Sequence, residues 1–234
     1  MPVKLSIVIC AYNKANFTVH CVKSLLELPK DEVEIILIDN ASTDNTRKQI
    51  DALQSNNLRY IYSSINLFHS GGCNVGYELA QGENILFLNN DIKMQSQMNW
   101  THKLNEDITI DPNTLFGITA GYIDPKKDFN FCYEAIDPNQ QFNYISGWFI
   151  AAKRETWEKL KVGRSVGPWN EKFPMYFNDG DLSFRAKKLG IDQKLIQLPI
   201  QHIGKVSSSQ LNIPKLYNTA RKVFIEQWKE KSKK

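Results

Sequence analysis

The sequence has few cysteines, no long apolar run and no large excess of charge of either sign. Cys10, Cys21, Cys73 and Cys132 show no C-x-x-C spacing and no histidine in ligand register. That scatter suits reduced thiols better than a disulfide framework or a zinc site. The early apolar run from Leu5 to Ala11 is far too short for a membrane span. A basic n-region and a small-residue cleavage site, the marks of a secretory signal, are also missing, so the expected location is cytoplasmic. Net charge is +4, from 29 basic and 25 acidic residues, and much of the excess lies in the C-terminal tail. That is too mild to imply nucleic acid, and no other face gathers basic with aromatic residues. With 42% hydrophobic and 23% charged residues over 234 positions, the chain is neither disordered nor fibrous. It is long enough to bury a sizeable core without staples.

What is present is an alternation of strand-like and helix-like segments. Leu5 to Cys10, Val33 to Ile38, Leu58 to Tyr62 and Ile85 to Leu88 read as strands, the first two as continuous Ile/Val-rich runs typical of strands buried on both faces. Between them, Phe17 to Leu28 stops at Pro29, Ser42-Thr43-Asp44 supplies capping groups for a helix with Ile50 and Leu53, and Gly72 to Ala80 forms a third helix. Gly71-Gly72 reads as the bend into that third helix. This rhythm predicts a parallel, Rossmann-like sheet with helices on both faces. After residue 91 it changes. Leu115 to Thr119 and Tyr144 to Ala152 read as strands, Arg154 to Leu160 and Asp181 to Leu189 as short helices, and Asp-Pro pairs at 111, 124 and 137 mark turns. There is no internal repeat and no low-complexity linker. From Ile213, Leu216, Tyr217, Ala220, Val223, Phe224 and Trp228 fall at helical spacing among basic residues that include Lys215, Arg221, Lys222, Lys229, Lys231, Lys233 and Lys234. This is an amphipathic helix, either docked on the body or touching an anionic membrane surface or a second subunit.

Ligands of an open parallel sheet bind at the carboxyl ends of its strands. Polar residues follow each of the first four predicted strands: Ala11-Tyr12-Asn13, Asp39-Asn40-Ala41-Ser42, Asn66 with Ser70 to Asn74, and Asn89-Asn90-Asp91. Turns favour Asn and Asp in any case, but four clusters at corresponding places point to a binding rim. No G-x-G-x-x-G follows the first strand and no G-x-x-x-x-G-K-[ST] occurs anywhere, so neither a dinucleotide fold nor a P-loop is supported.

The segments Ser6 to Asn13, Ile38 to Asp44, Asn66 with Gly72-Cys-Asn74, and Phe87 to Asp91 resemble family 2 glycosyltransferases of the GT-A fold. In the second half Ser146 to Arg154 resembles the glycine-centred acceptor-side strand. Met175 to Arg185 resembles the ED…D segment, and His202-Ile-Gly204 with Ser207 the terminal histidine motif. The likeness runs in family order over roughly residues 4 to 207.

This resemblance implies an inverting enzyme that moves a sugar from a nucleoside-diphosphate donor to an acceptor hydroxyl of a polysaccharide or other glycoconjugate. It implies a domain over 1–207, with a nucleotide-sugar half over 1–95 and an acceptor half over 96–207, followed by the basic helix at 208–234. Asp39 corresponds to the family's nucleobase acceptor. An ionised carboxylate only accepts hydrogen bonds, which suits the N3–H of uracil or thymine and therefore a UDP- or dTDP-sugar. The alternative for Asp39 is a turn cap. Ala11, Asn13, Asn66 and Asn74 would line the nucleotide pocket, and Asn89-Asn90-Asp91 takes the place of the DxD motif. Asp91 and His202 are the candidate ligands for Mn²⁺ or Mg²⁺. Asn89, where the motif has Asp, is left to touch ribose or a metal-bound water. Asp179 aligns with the family's base, with Asn178 where Glu is usual. Asp181 would be a first-turn acid on the acceptor side, with Arg185 four residues on as its partner. Trp148 and Tyr176 are candidates for a stacking wall against an acceptor sugar, or else for core. A protein of this fold that binds sugar nucleotides without turnover, and a sugar nucleotidyltransferase, are the alternatives. Ala11-Tyr12-Asn13-Lys14 lacks the basic, glycine-rich loop of the latter.

Overall fold

The computed structural model describes residues 3–95, 99–204 and 213–229. Ser207, the boundary at 207/208, and Lys231, Lys233 and Lys234 lie outside the described residues. The Ile/Val-rich runs form β1 (Leu5–Ala11) and β2 (Val33–Asn40), because stiff branched side chains pack well on a pleated surface. α1 (Ala15–Leu25) connects them. α2 (Thr46–Asp51), β3 (Leu58–Ser63), α3 (Phe68–Leu79) and β4 (Asn84–Leu88) continue the alternation. Successive strand residues face opposite ways, so each strand feeds two cores. Ile7, Ile9, Ile35 and Leu37 pack with Cys21, Val22 and Leu25 of α1. Val8, Ile36, Ile38 and Phe87 pack with Cys73 and Tyr77 of α3.

The second half contributes β5 (Ile92–Met94), α4 (Trp100–Ile110), β6 (Thr114–Gly117), β7 (Ala120–Asp124), β8 (Asn130–Ala135), β9 (Tyr144–Ile145) and β10 (Phe149–Lys153). Then follow α5 (Arg154–Lys159), α6 (Asn178–Lys188), β11 (Asp192–Leu195), β12 (Ile200–His202) and α7 (Ile213–Lys229). The main sheet has the order β11-β6-β10-β4-β1-β2-β3. β10 runs antiparallel to both neighbours, and the other pairs are parallel. This is the α/β, mostly parallel architecture that the sequence predicts. β5 and β12 form a two-stranded ribbon, and β8-β7-β9 a small antiparallel sheet. The four thiols are unbridged. No described helix is long and apolar enough to cross a membrane.

Three local expectations are corrected, and one helix is added. α3 begins at Phe68, so Gly72 lies inside the helix rather than at a bend. Its role is close approach, since a Cβ there would lie 2.3 Å from Cys10 Sγ. The segment Tyr144 to Ala152 is two strands, because Ser146–Trp148 turns between β9 and β10. α6 starts at Asn178, which places Asp179 in its first turn. α4, stapled to the sheet by Trp100, Leu104 and Ile108, went unread in the sequence.

The apolar side of α7 is spent on the body. Ala220, Phe224 and Trp228 pack with Ile123, Phe129, Phe173 and Phe177, so of the two readings of this helix its contacts show the docked one. Asp181 anchors the same interface and has no exposed surface. It accepts from Arg185 Nε at 2.7 Å, from Trp228 Nε1 at 3.3 Å and from Gln227 Nε2. A carboxylate sealed in this way holds α6 to α7 and cannot meet an acceptor sugar.

Candidate active site

The strand order reverses beside β1, where β2 leaves on one side and β4 on the other, and a crevice forms at the carboxyl ends of such strands. A cavity of about 100 Å³ opens there. Cys10, Ala11 and Tyr12 line it from β1, Asn89 and Asn90 from the end of β4, and Asn40, Asn66, Phe68, His69 and Met175 close it. The chain is strained around this rim. Asn13 (φ 54°), Lys14 (62°), Ala41 (67°), Phe68 (56°) and Phe177 (62°) are non-glycine residues in left-handed conformations. Each costs on the order of 1–3 kcal/mol and persists only where surrounding contacts over-determine it. Asn13 shows how. Its Oδ1 accepts from the backbone N–H groups of Thr43 (2.7 Å) and Asp44 (3.2 Å), and its own N–H donates to Ser42 Oγ at 2.7 Å. The loops after β1 and β2 are thereby locked together.

Asp39 lies at the end of β2 with no exposed surface. Its Oδ1 accepts from Ser42 N–H (2.8 Å) and its Oδ2 from the Tyr60 hydroxyl (2.5 Å). It therefore makes the contacts of a turn cap, and it stands behind the cavity wall next to the lining residue Asn40. Asn66 fastens the start of α3, accepting from Asn40 Nδ2 (2.9 Å) and Phe68 N–H (2.8 Å). Asn74 is placed away from the nucleotide rim. It is buried, accepts from Trp169 N–H (2.9 Å), and donates to the Trp169 carbonyl (2.9 Å) and Glu171 (2.8 Å). Both ends of its amide are thus used to hold the 165–171 loop. Asn90 donates to Thr18 Oγ1 at 2.8 Å and ties the β4 exit to α1.

The β5–β12 ribbon brings Asp91 and His202 together. His202 pairs with Ile92 in register, and Ile203 N–H donates to the Asp91 carbonyl at 2.8 Å. His202 Nε2 stands 3.1 Å from Asp91 Oδ1 and 3.4 Å from Asn89 Nδ2. Among the described residues no group of three or more His, Cys, Asp and Glu could hold a metal. A carboxylate with an imidazole fits Mn²⁺ or Mg²⁺ as a partial shell, with its open positions available to diphosphate oxygens and water. Trp148 is only 6% exposed and stacks on the His202 ring at 5.1 Å and 3°. Its indole N–H donates to Thr119 Oγ1 at 2.6 Å. Of its two readings, a stacking wall or core, these contacts show the core one, with the ring orienting the histidine.

On the other side of Trp148, the Gly147 N–H donates to Asp179 Oδ2 at 3.1 Å, and Gly180 N–H donates to Oδ1 at 2.9 Å. Burial raises the Asp179 carboxyl above its ordinary value, against the opposing pull of these backbone N–H groups. Asn178 fixes the same turn. Its Nδ2 donates to His69 Nδ1 (3.0 Å) and Ser70 Oγ (3.2 Å), and its Oδ1 accepts from Asp179 N–H (3.1 Å). Burial pushes His69 down to about 4, so the ring is neutral, with Nδ1 as acceptor and the proton on Nε2. Tyr176 is half-buried and meets Tyr217 edge-on at 5.7 Å.

Asp91, His202, Asn89 and Asp179 thus share one rim, linked through Gly147 and Trp148, while Asn74 and Asp181 belong to the scaffold. Sequence reasoning missed Tyr60, Phe68, His69 and Met175. Phe68 and His69 lie inside the segment already singled out at 66–74. The signal for them was a large aromatic and a titratable ring next to Asn66, between polar clusters.

Comparison with known proteins gives the family and the fold. The profile of Glycosyl transferase family 2 matches residues 6–160, about two thirds of the chain. Glycosyltransferase GlyG of Streptococcus pneumoniae is 32% identical over 100 residues, 40% of this chain and 32% of that protein. The poly(ribitol-phosphate) beta-N-acetylglucosaminyltransferase TarS of Staphylococcus aureus is 31% identical over 94 residues, 38% of this chain and 16% of that protein. The matches therefore cover a third or less of these curated relatives. Among solved structures, GalNAc-T7 with UDP, GalNAc and Mn²⁺ superposes with a TM-score of 0.76 at 15% identity, over 96% of this chain and 48% of that one. TarS residues 1–349 with UDP reach 0.63 at 15% identity, over 85% and 60%. At such identity the structures share the GT-A fold.

Proposed function

The chain belongs to glycosyl transferase family 2, and on that premise we propose that it moves a sugar from a UDP- or dTDP-sugar to a hydroxyl of a carbohydrate or glycoconjugate acceptor, with inversion at the anomeric carbon. One observation carries this reading. Asp179, raised by burial, is held by the N–H of Gly147, and the next residue along the chain, Trp148, stacks on the histidine of the Asp91–His202 pair. A base and an anchor for the leaving group stand on one rim.

Asp179 receives the proton of the acceptor hydroxyl. That oxygen bonds to the anomeric carbon as the bond to the diphosphate oxygen breaks, and the electron pair leaves with the diphosphate. A raised carboxyl is a stronger base than a solvated one, which suits this transfer. Asp91 and His202 would hold Mn²⁺ or Mg²⁺, which supplies charge neutralisation for the diphosphate. Ala11, Asn13 and Asn66 shape the nucleotide end. Asp39, which accepts one protein donor on each oxygen, keeps further lone pairs that would suit a base N–H. The solved GalNAc-T7 and TarS complexes contain UDP, and the former Mn²⁺, which supports both the donor class and the cation.

The test is a calorimetric titration of UDP, dTDP, CDP and GDP with and without Mn²⁺. Binding of UDP or dTDP that strengthens with Mn²⁺ is expected. Absence of binding by all four overturns the reading, and preference for CDP or GDP overturns the role of Asp39.

A further inference from the structure

Beside Asp179 lies a group of aromatic residues that neither the donor nor the cation uses. β9 leads through Ser146 to Gly147, whose N–H binds Asp179, and Ile145 N–H donates to Ser183 Oγ of α6 at 3.0 Å. Tyr144 of β9 pairs with Gly121 of β7, on the face that also carries Ile123 and turns toward α6 and α7. Its ring lies flat on the strand. A Cβ at position 121 would fall 2.5 Å from ring atoms Cε1 and Cζ, so only glycine admits this pose. Phe131, opposite Ile123 past the irregularity in the β7–β8 pairing, sets its ring 6.3 Å from that of Tyr144 and is 51% exposed. Tyr217 of α7, 36% exposed, packs on Tyr176 and Phe177 with its ring 5.2 Å from that of Phe177, and its hydroxyl is near enough to act on the Tyr144 phenol.

Among the described residues nothing hydrogen-bonds the Tyr144 hydroxyl, although the side chain is half-buried. Burial first, then the charges of Asp179 and Glu134, raise its phenol, which stays protonated as a donor. A half-buried donor without a partner, flanked by two exposed rings and next to a carboxylate base, has the make-up of a ligand site: apolar walls with a few polar groups that fix orientation.

We propose that Tyr144, Phe131 and Tyr217 form the subsite for the sugar ring of the acceptor. The aromatic faces take its C–H face, and the Tyr144 hydroxyl donates to one ring substituent while another hydroxyl meets Asp179. The occupant is a pyranose, because a linear polyol phosphate offers no flat apolar face to these rings. This subsite rests on the reading of Asp179 as the base.

Ligand-observed saturation-transfer NMR on the full chain with UDP and Mn²⁺ tests it. The probes are the methyl pyranosides of glucose, galactose, N-acetylglucosamine and rhamnose, with glycerol 3-phosphate as the probe without a ring. At least one pyranoside is expected to bind. Tyr144→Phe, Phe131→Ala and Tyr217→Ala should each weaken it about three- to tenfold and leave UDP affinity unchanged. Tyr144→Phe keeps the ring and its packing, so its effect reads the hydroxyl alone. UDP binding with no bound pyranoside, preference for glycerol 3-phosphate, or wild-type pyranoside affinity in all three variants overturns the subsite alone. Failure of the wild type to bind UDP counts against the glycosyltransferase reading and removes the subsite with it.

Discussion

At its amino end the main sheet opens into a depression of about 610 Å³, larger than the cavity of about 100 Å³ at its carboxyl end. The larger one is lined by polar side chains, several of them in surface pairs: Lys4 with Glu32 at 2.9 Å, His102 with Glu106 at 3.4 Å, and Asp107 with Lys103 at 3.0 Å. The carboxyl end holds the buried carboxylates Asp39 and Asp91, the raised Asp179 and five left-handed non-glycine residues. Size alone would choose the wrong end. Strained backbone and buried ionisable groups cost stability, so their concentration at one rim marks it as functional.

The contrast is broken most severely at Asp179. Asp179→Asn should lower transfer about 10²–10⁴-fold with UDP affinity unchanged, read as kcat against calorimetric Kd. The acid limb of the wild-type rate profile should lie above the ordinary carboxylate range. The sign for stability follows from the same shift. The native state binds this proton more tightly than the unfolded chain, so ionisation costs stability at neutral pH, and that cost vanishes as pH falls below the unfolded value. Asp179→Asn should therefore melt higher than wild type at neutral pH, with the gap closing in acid. An equal gap at every pH would contradict the raised carboxyl.

Asp91→Ala comes next, with about a 10–100-fold loss of UDP affinity in Mn²⁺ and little change without it. A manganese titration identical to wild type would remove Asp91 from the cation site. Gly72→Ala should cost about 1–3 kcal/mol of stability because its Cβ meets Cys10 Sγ. Adding Cys10→Ala should recover most of that loss in denaturant titration if the clash is the cause. The smallest effect belongs to the amino end. Lys4→Ala or Glu106→Ala should change stability by less than about 1 kcal/mol and leave UDP affinity intact. A loss there as large as that of Asp91→Ala would erase the contrast between the two rims.

Legibility in the sequence followed burial. β1, β2 and β4 are covered on both faces, so their continuous apolar runs could be read directly. α4 carries Trp100, Leu104 and Ile108 at intervals of four, but Thr101, His102, Lys103, Asn105, Glu106 and Asp107 between them make the segment read as polar. Gly147 sits inside an apolar segment and conceals the turn that binds Asp179. Asp91 and His202 were paired through family resemblance, since 111 residues separate them and no local pattern joins them. Asn74, Trp148 and Asp181 were noticed as residues, yet which way each side chain faced depended on the 165–171 loop, the β5–β12 ribbon and α7.

Apolar periodicity and polar strand ends, both local properties of the chain, were sufficient by themselves to determine a parallel sheet with a ligand rim and the segments that reach it. Tertiary structure decided which polar groups at that rim stay open and which are consumed as scaffold. A hydrogen bond between residues distant in sequence depends on how whole elements pack, and that packing sealed Asp181 while leaving the Tyr144 hydroxyl without a partner among the described residues.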